Sequence, residues 1–200
     1  SGSATQSLGG LPNIQINKAS GTLTLAGTLR TSRNWTYTAG TLSAGTSTVV
    51  FGGDATGAGT LTGSHTLNHV TFDPNNTSTT TWTLASGTTL TVAGTLLLDN
   101  TSTGGTSINT GTLAAQGNIT VADANRYDGS ATLLINGTGA QTFSGSATQS
   151  AGGLPNVTIN KPSGTLSLAG TIRASRDWTY TAGTVSAGTS TVVFSADATG

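Results

Sequence analysis

GTLTLAGTLRTSRNWTYTAGTLSAGTSTVVF, Gly21 to Phe51, returns almost word for word as GTLSLAGTIRASRDWTYTAGTVSAGTSTVVF, Gly164 to Phe194, at a constant offset of 143. Extended outward, the match covers Ser1 to Gly57 against Ser144 to Gly200, with 46 of 57 positions identical. Repetition at a fixed period is the mark of stacked units that bury their apolar faces only against one another. The substitutions between copies sort the side chains. Ile14 to Val157, Leu29 to Ile172 and Leu42 to Val185 nearly conserve volume, as an interior tolerates, so these are expected inside. Gln15 to Thr158, Thr24 to Ser167 and Thr31 to Ala174 exchange small or polar types and are expected to face water.

Within the copies, NIQIN (Asn13 to Asn17) and TLTLAGTL (Thr22 to Leu29) alternate apolar and polar residues, the period of strands with one buried face. Lys18 to Gly21 becomes Lys161, Pro162, Ser163 and Gly164, and proline there removes an amide donor, which predicts a corner or loop. Between the copies the plan varies. The segment that opens with STVVF at Ser47 aligns with the one that opens with ATLLI at Ala131, which divides the period into a longer unit, 47–130, and a shorter one, 131–189. Their difference, 25, reads as one inserted coil.

Composition fits the same class. Thr (43), Gly (29) and Ser (22) make up nearly half of the 200 residues, Glu, Met and Cys are absent, and charged residues are 7%. Such a chain is poor in helix formers and rich in β-formers. Seven acidic and seven basic residues create no field to attract nucleic acid or anionic lipid, and no run is apolar and long enough to span a bilayer. A hydroxyl-covered surface without thiols suits the outside of a cell.

The expected fold is therefore all-β: a right-handed parallel β-solenoid (β-helix) of about 20 residues per coil, with seven coils in the 143-residue period and a length near 47 Å at the usual strand spacing of about 4.8 Å. Residues 1–200 read as one continuous slice of a longer array: a partial repeat at 1–46, units at 47–130 and 131–189, and the start of another at 190–200. Its expected partner is itself, end to end and laterally, and the isolated chain is expected to stack or aggregate because neither end carries a cap.

The phrases GTLTLAGTL, STVVFGGDATG and ATLLINGTGAQTFSGS resemble repeats of large bacterial surface and secreted β-solenoid proteins of the haemagglutinin-like and autotransporter-adhesin-like kind. The resemblance is one of repeat style and covers essentially the whole chain. It implies an elongated bacterial protein, extracellular or at the cell surface, engaged in adhesion, biofilm or surface structure. It brings no functional residues.

ADANRYDG (Ala122 to Gly129) carries carboxylates and amides at alternate positions, as a calcium loop would, but lacks the EF-hand pattern, and Asx turns with a local Asp to Arg pair are the expected form. His65 and His69 would stand about 13 Å apart on an extended strand, too far for one ion. The Asp residues are scattered, Asp54 recurs as Asp197, and no catalytic carboxylate pair stands out. Neither an enzyme nor a cofactor or metal is expected. Thr-x-Thr triplets evoke ice-binding ladders but begin at 22, 36, 46, 60, 77, 79, 81, 89, 101, 110, 179 and 189, without constant spacing.

Arg30, Arg33, Trp35 and Tyr37, repeated as Arg173, Arg176, Trp178 and Tyr180, form a possible interaction surface that stacks on glycans or a neighbouring chain, or else an inward set with satisfied polar tips. The runs at Val49 to Phe51, Leu96 to Leu98 and Leu133 to Ile135 break the alternation. They push Val50, Leu97, Leu134 and, in the second copy, Val193 outward as a candidate lateral contact. The asparagines of N-x-S/T sequons, Asn76 and Asn136 among them, are possible modification sites. The leading functional expectation is a structural segment in the shaft of a bacterial extracellular filament or surface fibre. The alternative is an adhesin whose repeating face binds glycan or host surface, with ice binding and a cross-β fibre subunit as lesser ones.

Overall fold

The chain forms a parallel β-solenoid in a computed structural model that describes residues 1–5, 8–53, 58–75, 77–100 and 102–195. The described residues contain no helix and 61% strand, wound into about eight turns of about 23 residues. Every ladder is parallel. Alternation of apolar and polar residues makes this possible, because each turn has one dry face to offer its own interior and one wet face to offer solvent.

The middle of the chain shows the plan of a turn most clearly. Ala58–Thr62, His65–Leu67 and His69–Asp73 take three successive faces, and Thr80–Leu84, Thr89–Val92 and Leu96–Leu98 repeat them one layer up. Thr106–Asn109, Thr112–Ala115 and Ile119–Val121 form the layer after that. The first face is the five-stranded sheet that begins with Ile14–Thr24 and Trp35–Ser43. The second and third belong to one 15-stranded sheet, joined where the long strand Asn156–Ala174 pairs with both Thr132–Ile135 and Gln141–Ser146.

Inside, like residues stack on like. Leu90, Leu113, Leu133, Val157 and Trp178 form one column of the second face, and Val49, Val70, Leu96, Ile119 and Phe143 one of the third. The result is a single contiguous core, into which Phe51, Phe72 and Trp82 contribute a ring cluster with centroids 5.1 to 6.4 Å apart. Burial of this kind stabilises at about 25 cal/mol per Å² of apolar surface and is the main force holding one turn on the next.

The period does not contain a whole number of turns. On the third face six ladder steps run from Leu29 through Val49, Val70, Leu96, Ile119 and Phe143 to Leu168. The counterpart of Leu29 is not Leu168 but Ile172, which lies beyond the bend at Gly170 (φ 67°), where the chain has moved to the next face. The first copy shows the same displacement: Ile14 lies at the edge of the first face, but its counterpart Val157 sits in the second-face ladder. The period is thus six turns and about a third, not seven turns, and each copy is turned by one face relative to the last. Coils are longer than the composition and period suggest because loops at the corners take residues that no strand uses.

Two local expectations are corrected. Thr31 and Ala174 are buried, at 0% and 2% exposure, because their position alternates inward in register with Phe51. Small size rather than polarity suits them to that place. The stretch from Lys18 to Gly21 is the expected corner but not a loop: the strand runs on through it and the turn is made by a bulge, with a register shift between Asn17 and Thr22.

Candidate functional site

Trp35 ends inside the solenoid, 1% exposed, because its strand places it in line with Ile14 and Leu61. Its Nε1 donates to His65 Nε2 at 3.0 Å, and the other ring nitrogen of His65 lies 2.7 Å from the carbonyl oxygen of Gly63. That pair of contacts requires the neutral tautomer with the proton on Nδ1. Desolvation holds the His65 pKa below its ordinary 6.5, against the opposing pull of the Gly63 carbonyl. Tyr37 is half-buried, stacks on His65 with centroids 5.2 Å apart, and donates to the Gly40 carbonyl oxygen at 2.5 Å. Arg30 is 6% exposed with Nη2 3.2 Å from the Gly53 carbonyl oxygen, whereas Arg33 is exposed.

The second copy presents the same residues differently. Trp178 is half-buried between Phe143 and Phe194, Tyr180 is 58% exposed, and Arg176 is exposed. Arg173 is half-buried, with Nη1 2.7 Å from the Gly152 carbonyl oxygen. The contrast arises from position along the axis. Trp178 and Tyr180 occupy inward columns on the strand Trp178–Ser186, which pairs with Asn156–Ala174 on one side only. Two copies of one motif, equal in sequence, are therefore one motif paired with described turns on both sides and one paired on one side only among the described residues.

The four outward apolar residues do not make one row. Val50 and Leu97 share the third face with Thr71 between them, Leu134 stands on the second face beside Ala114, and Val193 pairs with Arg173. Val50 is buried at 1%, and Leu97, Leu134 and Val193 are half-buried.

The polar loop at Ala122 to Gly129 is built from internal contacts. Asp123 Oδ1 accepts from the Asn125 amide at 2.6 Å, forming an Asx turn, and its Oδ2 accepts from the Tyr127 hydroxyl and the Asn100 amide, each at 2.7 Å. Arg126 pairs with Asp128 through Nε at 2.9 Å and through Nη2. Tyr127 is fully buried, and burial together with Asp123 pushes its pKa well above the usual phenol value. Among the described residues no group of three or more His, Cys, Asp or Glu could hold a metal ion. His65 points inward on the second face and His69 lies on the third, where its Nδ1 accepts from the Thr95 amide at 3.0 Å. Asp54, Asp197 and Asn76 lie outside the described residues.

Two features escape the sequence reading. Lys161 is 1% exposed at the corner of the long strand, and its Nζ donates to Gly137 O at 2.7 Å, Gly139 O at 3.0 Å and Gln141 Oε1 at 2.5 Å. Gln141 passes the chain of hydrogen bonds on to Ala115 O and Gly117 O one turn below. Desolvation lowers the Lys161 pKa. A separation of roughly one coil between Gln141 and Lys161 is the only trace of this cage in the sequence. The second feature is a groove of about 490 Å³ on the first face, lined by Thr77, Thr103, Asn125, Arg126, Asp128 and Arg173 among others. It forms because corner loops of four successive turns stand out from the sheet.

Comparison of the chain with protein-family models, with curated proteins and with solved structures finds no match.

Proposed function

We propose that this chain is a tandem-repeat segment of the shaft of a bacterial extracellular filament or surface fibre. The observation that carries the reading is the period of six and a third turns over an unbroken core. Any surface motif returns on the next face of the solenoid, so what the repetition preserves from copy to copy is the axial stacking and not one recognition face. A shaft needs that property and an adhesive stripe does not. The extracellular and bacterial parts of the reading draw support from the resemblance in repeat style and from the thiol-free, hydroxyl-rich composition.

Imaging of tandem copies of the 143-residue period tests the proposal. Each added period is expected to lengthen an unbranched rod by about 30 Å, from six and a third layers at about 4.8 Å. Rods whose length does not grow, or that collapse into compact particles, would overturn it.

A second reading, an adhesin that binds glycan, is favoured by the first-face groove, where Arg173 Nε is buried without a hydrogen-bond partner and Arg126 is half-exposed at the rim. Its lining comes mostly from residues outside the repeated copies. Binding on a glycan array that is lost in Arg126→Ala and Arg173→Ala would favour this reading, and an array without signal would leave the shaft reading alone.

A further inference from the structure

Arg30 and Arg173 are one residue in two copies, yet their side chains run in opposite directions along the axis. Their places in the sheet are the same: Arg30 pairs with Val50 as Arg173 pairs with Val193. Arg30 reaches forward to the next turn, across Gly52, and its Nη2 donates to the Gly53 carbonyl oxygen at 3.2 Å. That path exists only because Gly52 has no side chain. An added Cβ would stand 2.2 Å from Nη2 and 2.3 Å from Cζ of Arg30. In the second copy the equivalent residue is Ser195, whose Cβ closes the path. Arg173 reaches back to the preceding turn instead, where Nη1 donates to the Gly152 carbonyl oxygen at 2.7 Å, and there it joins the lining of the first-face groove.

The groove carries a positive charge that it does not balance. Its charged lining residues are Arg126, Asp128 and Arg173. Asp128 is buried and accepts from Arg126 through Nε at 2.9 Å and through Nη2, so that carboxylate is already engaged. Among the described residues Arg173 has no carboxylate within ion-pair distance, and its Nε is buried without an acceptor. A cation held in this way is costly until an anion supplies the missing acceptors. The rest of the described lining is threonine, serine, asparagine, alanine and glycine, without an aromatic or large aliphatic side chain. Nor is a backbone edge open for a peptide to extend, because Thr106 N donates to Arg126 O at 2.7 Å and Tyr127 N to Gly153 O at 2.8 Å. The groove thus lacks both features by which an extended peptide is held, and offers hydroxyls, an amide and a guanidinium instead. From Thr103 to Arg173 it crosses four turns, roughly 14 Å in three axial steps.

We propose that this groove binds a saccharide chain bearing carboxylates, a uronate polymer, with one carboxylate on the Arg173 guanidinium and sugar hydroxyls on Asn125 and the threonine and serine side chains beside it. The inference rests on the glycan-binding reading of the groove and narrows it to one chemical class. A planar carboxylate accepts two parallel N–H···O bonds from a guanidinium fork, which gives it a fixed seat. The surplus of a single positive charge matches a sugar with one charge per ring and not a densely sulfated one. Ser195 is a positioning residue: it keeps Arg173 turned into the groove without touching the saccharide. Arg30, 6% exposed and drawn over Gly52, makes no such seat, so one site per 200-residue chain is expected.

Isothermal titration calorimetry of the 200-residue chain at low ionic strength tests this, with tetrasaccharides of galacturonate, mannuronate and glucuronate as probes. At least one is expected to bind, and its methyl ester, which keeps every hydroxyl but removes the charge, to bind at least about tenfold more weakly. Arg173→Lys keeps the charge and loses the fork; Ser195→Gly reopens the path that Gly52 gives Arg30. Each is expected to weaken binding at least about tenfold, while Arg176→Lys, outside the groove, leaves it unchanged. Thermal melts of the variants confirm that each is folded. Equal affinity for acid and ester would overturn the carboxylate inference and leave the glycan reading standing, whereas no binding by any acid or ester would remove both. A sulfated tetrasaccharide or an acidic peptide that binds tighter than every uronate, or full affinity in folded Arg173→Lys, would also overturn the proposal, and full affinity in Ser195→Gly would overturn the role of Ser195.

Discussion

The two copies supply an internal control, because one residue type in one local sequence occurs once between described turns on both sides and once with a described turn on one side only. Phe51 is fully buried, with ring centroids 5.9 Å from Trp35, 5.4 Å from Phe72 and 5.1 Å from Trp82. Phe51→Ala removes a ring from the meeting point of three others and is expected to cost about 3–5 kcal/mol, transfer and cavity together. Phe194 meets Trp178 at 5.9 Å and is 66% exposed, so only about a third of its roughly 2.5 kcal/mol burial term is at stake and Phe194→Ala is expected to cost below about 1 kcal/mol. Urea unfolding followed by far-ultraviolet circular dichroism reads both values, with the same protein concentration, kept low, for each variant. Similar costs for the two substitutions would refute the difference in burial between Phe51 and Phe194 in this 200-residue chain.

Three further outcomes concern side chains and backbone held in unusual surroundings. His65 is neutral in the folded chain, and the unfolded chain takes up the proton more readily, so stability should be full above pH 6.5 and fall as pH drops below it, by at most about 1.4 kcal/mol per unit. Thermal melts across pH 8 to 5 check this, and the acid slope should weaken in His65→Gln. Lys161→Met leaves the Gly137 and Gly139 carbonyls without their donor and should cost about 1–3 kcal/mol in chemical denaturation, whereas the half-buried counterpart in Lys18→Met should stay within about 0.5 kcal/mol. Gly63 has φ 85°, and an added Cβ would meet the Tyr37 carbonyl oxygen at 1.8 Å, so Gly63→Ala should cost about 2 kcal/mol or more. Gly139, with nothing within 4 Å of an added Cβ, should accept alanine within about 0.5 kcal/mol by the same assay.

The parallel stacking is legible in the sequence because alternation is a local signal: Val157 and Ile172, inward by their volume-conserving exchanges alone, are 0% and 1% exposed. Position along the axis is not legible. Nothing in the words WTY tells whether another turn lies above them, and Trp35 and Trp178 therefore differ in exposure although their neighbours in sequence are the same. Polar cages escape for a related reason. Lys161 and Gln141 meet across the corner of a turn, and corner loops of variable length hide which residues will be brought together. Thr31 misleads because exchange between threonine and alanine reads as tolerance of water, when the two share only a small volume.

The phase of the repeat also bears on how the sides of the solenoid are kept free of a continuous apolar stripe. Val50, Leu134 and Val193 occupy equivalent places in STVVF, ATLLI and STVVF, and the three strands stand on the third, second and first faces in turn. From one strand to the next the chain makes three turns and two faces, then two turns and two faces, so the outward apolar residue moves round the axis instead of lining up. A stripe of such residues on one face would be an exposed patch that invites lateral aggregation. Dispersed over three faces they cost little, each flanked by residues such as Thr71, Thr158 and Arg173. A third-turn remainder in the period is thus enough to spread these residues round the axis and keep them off any one face.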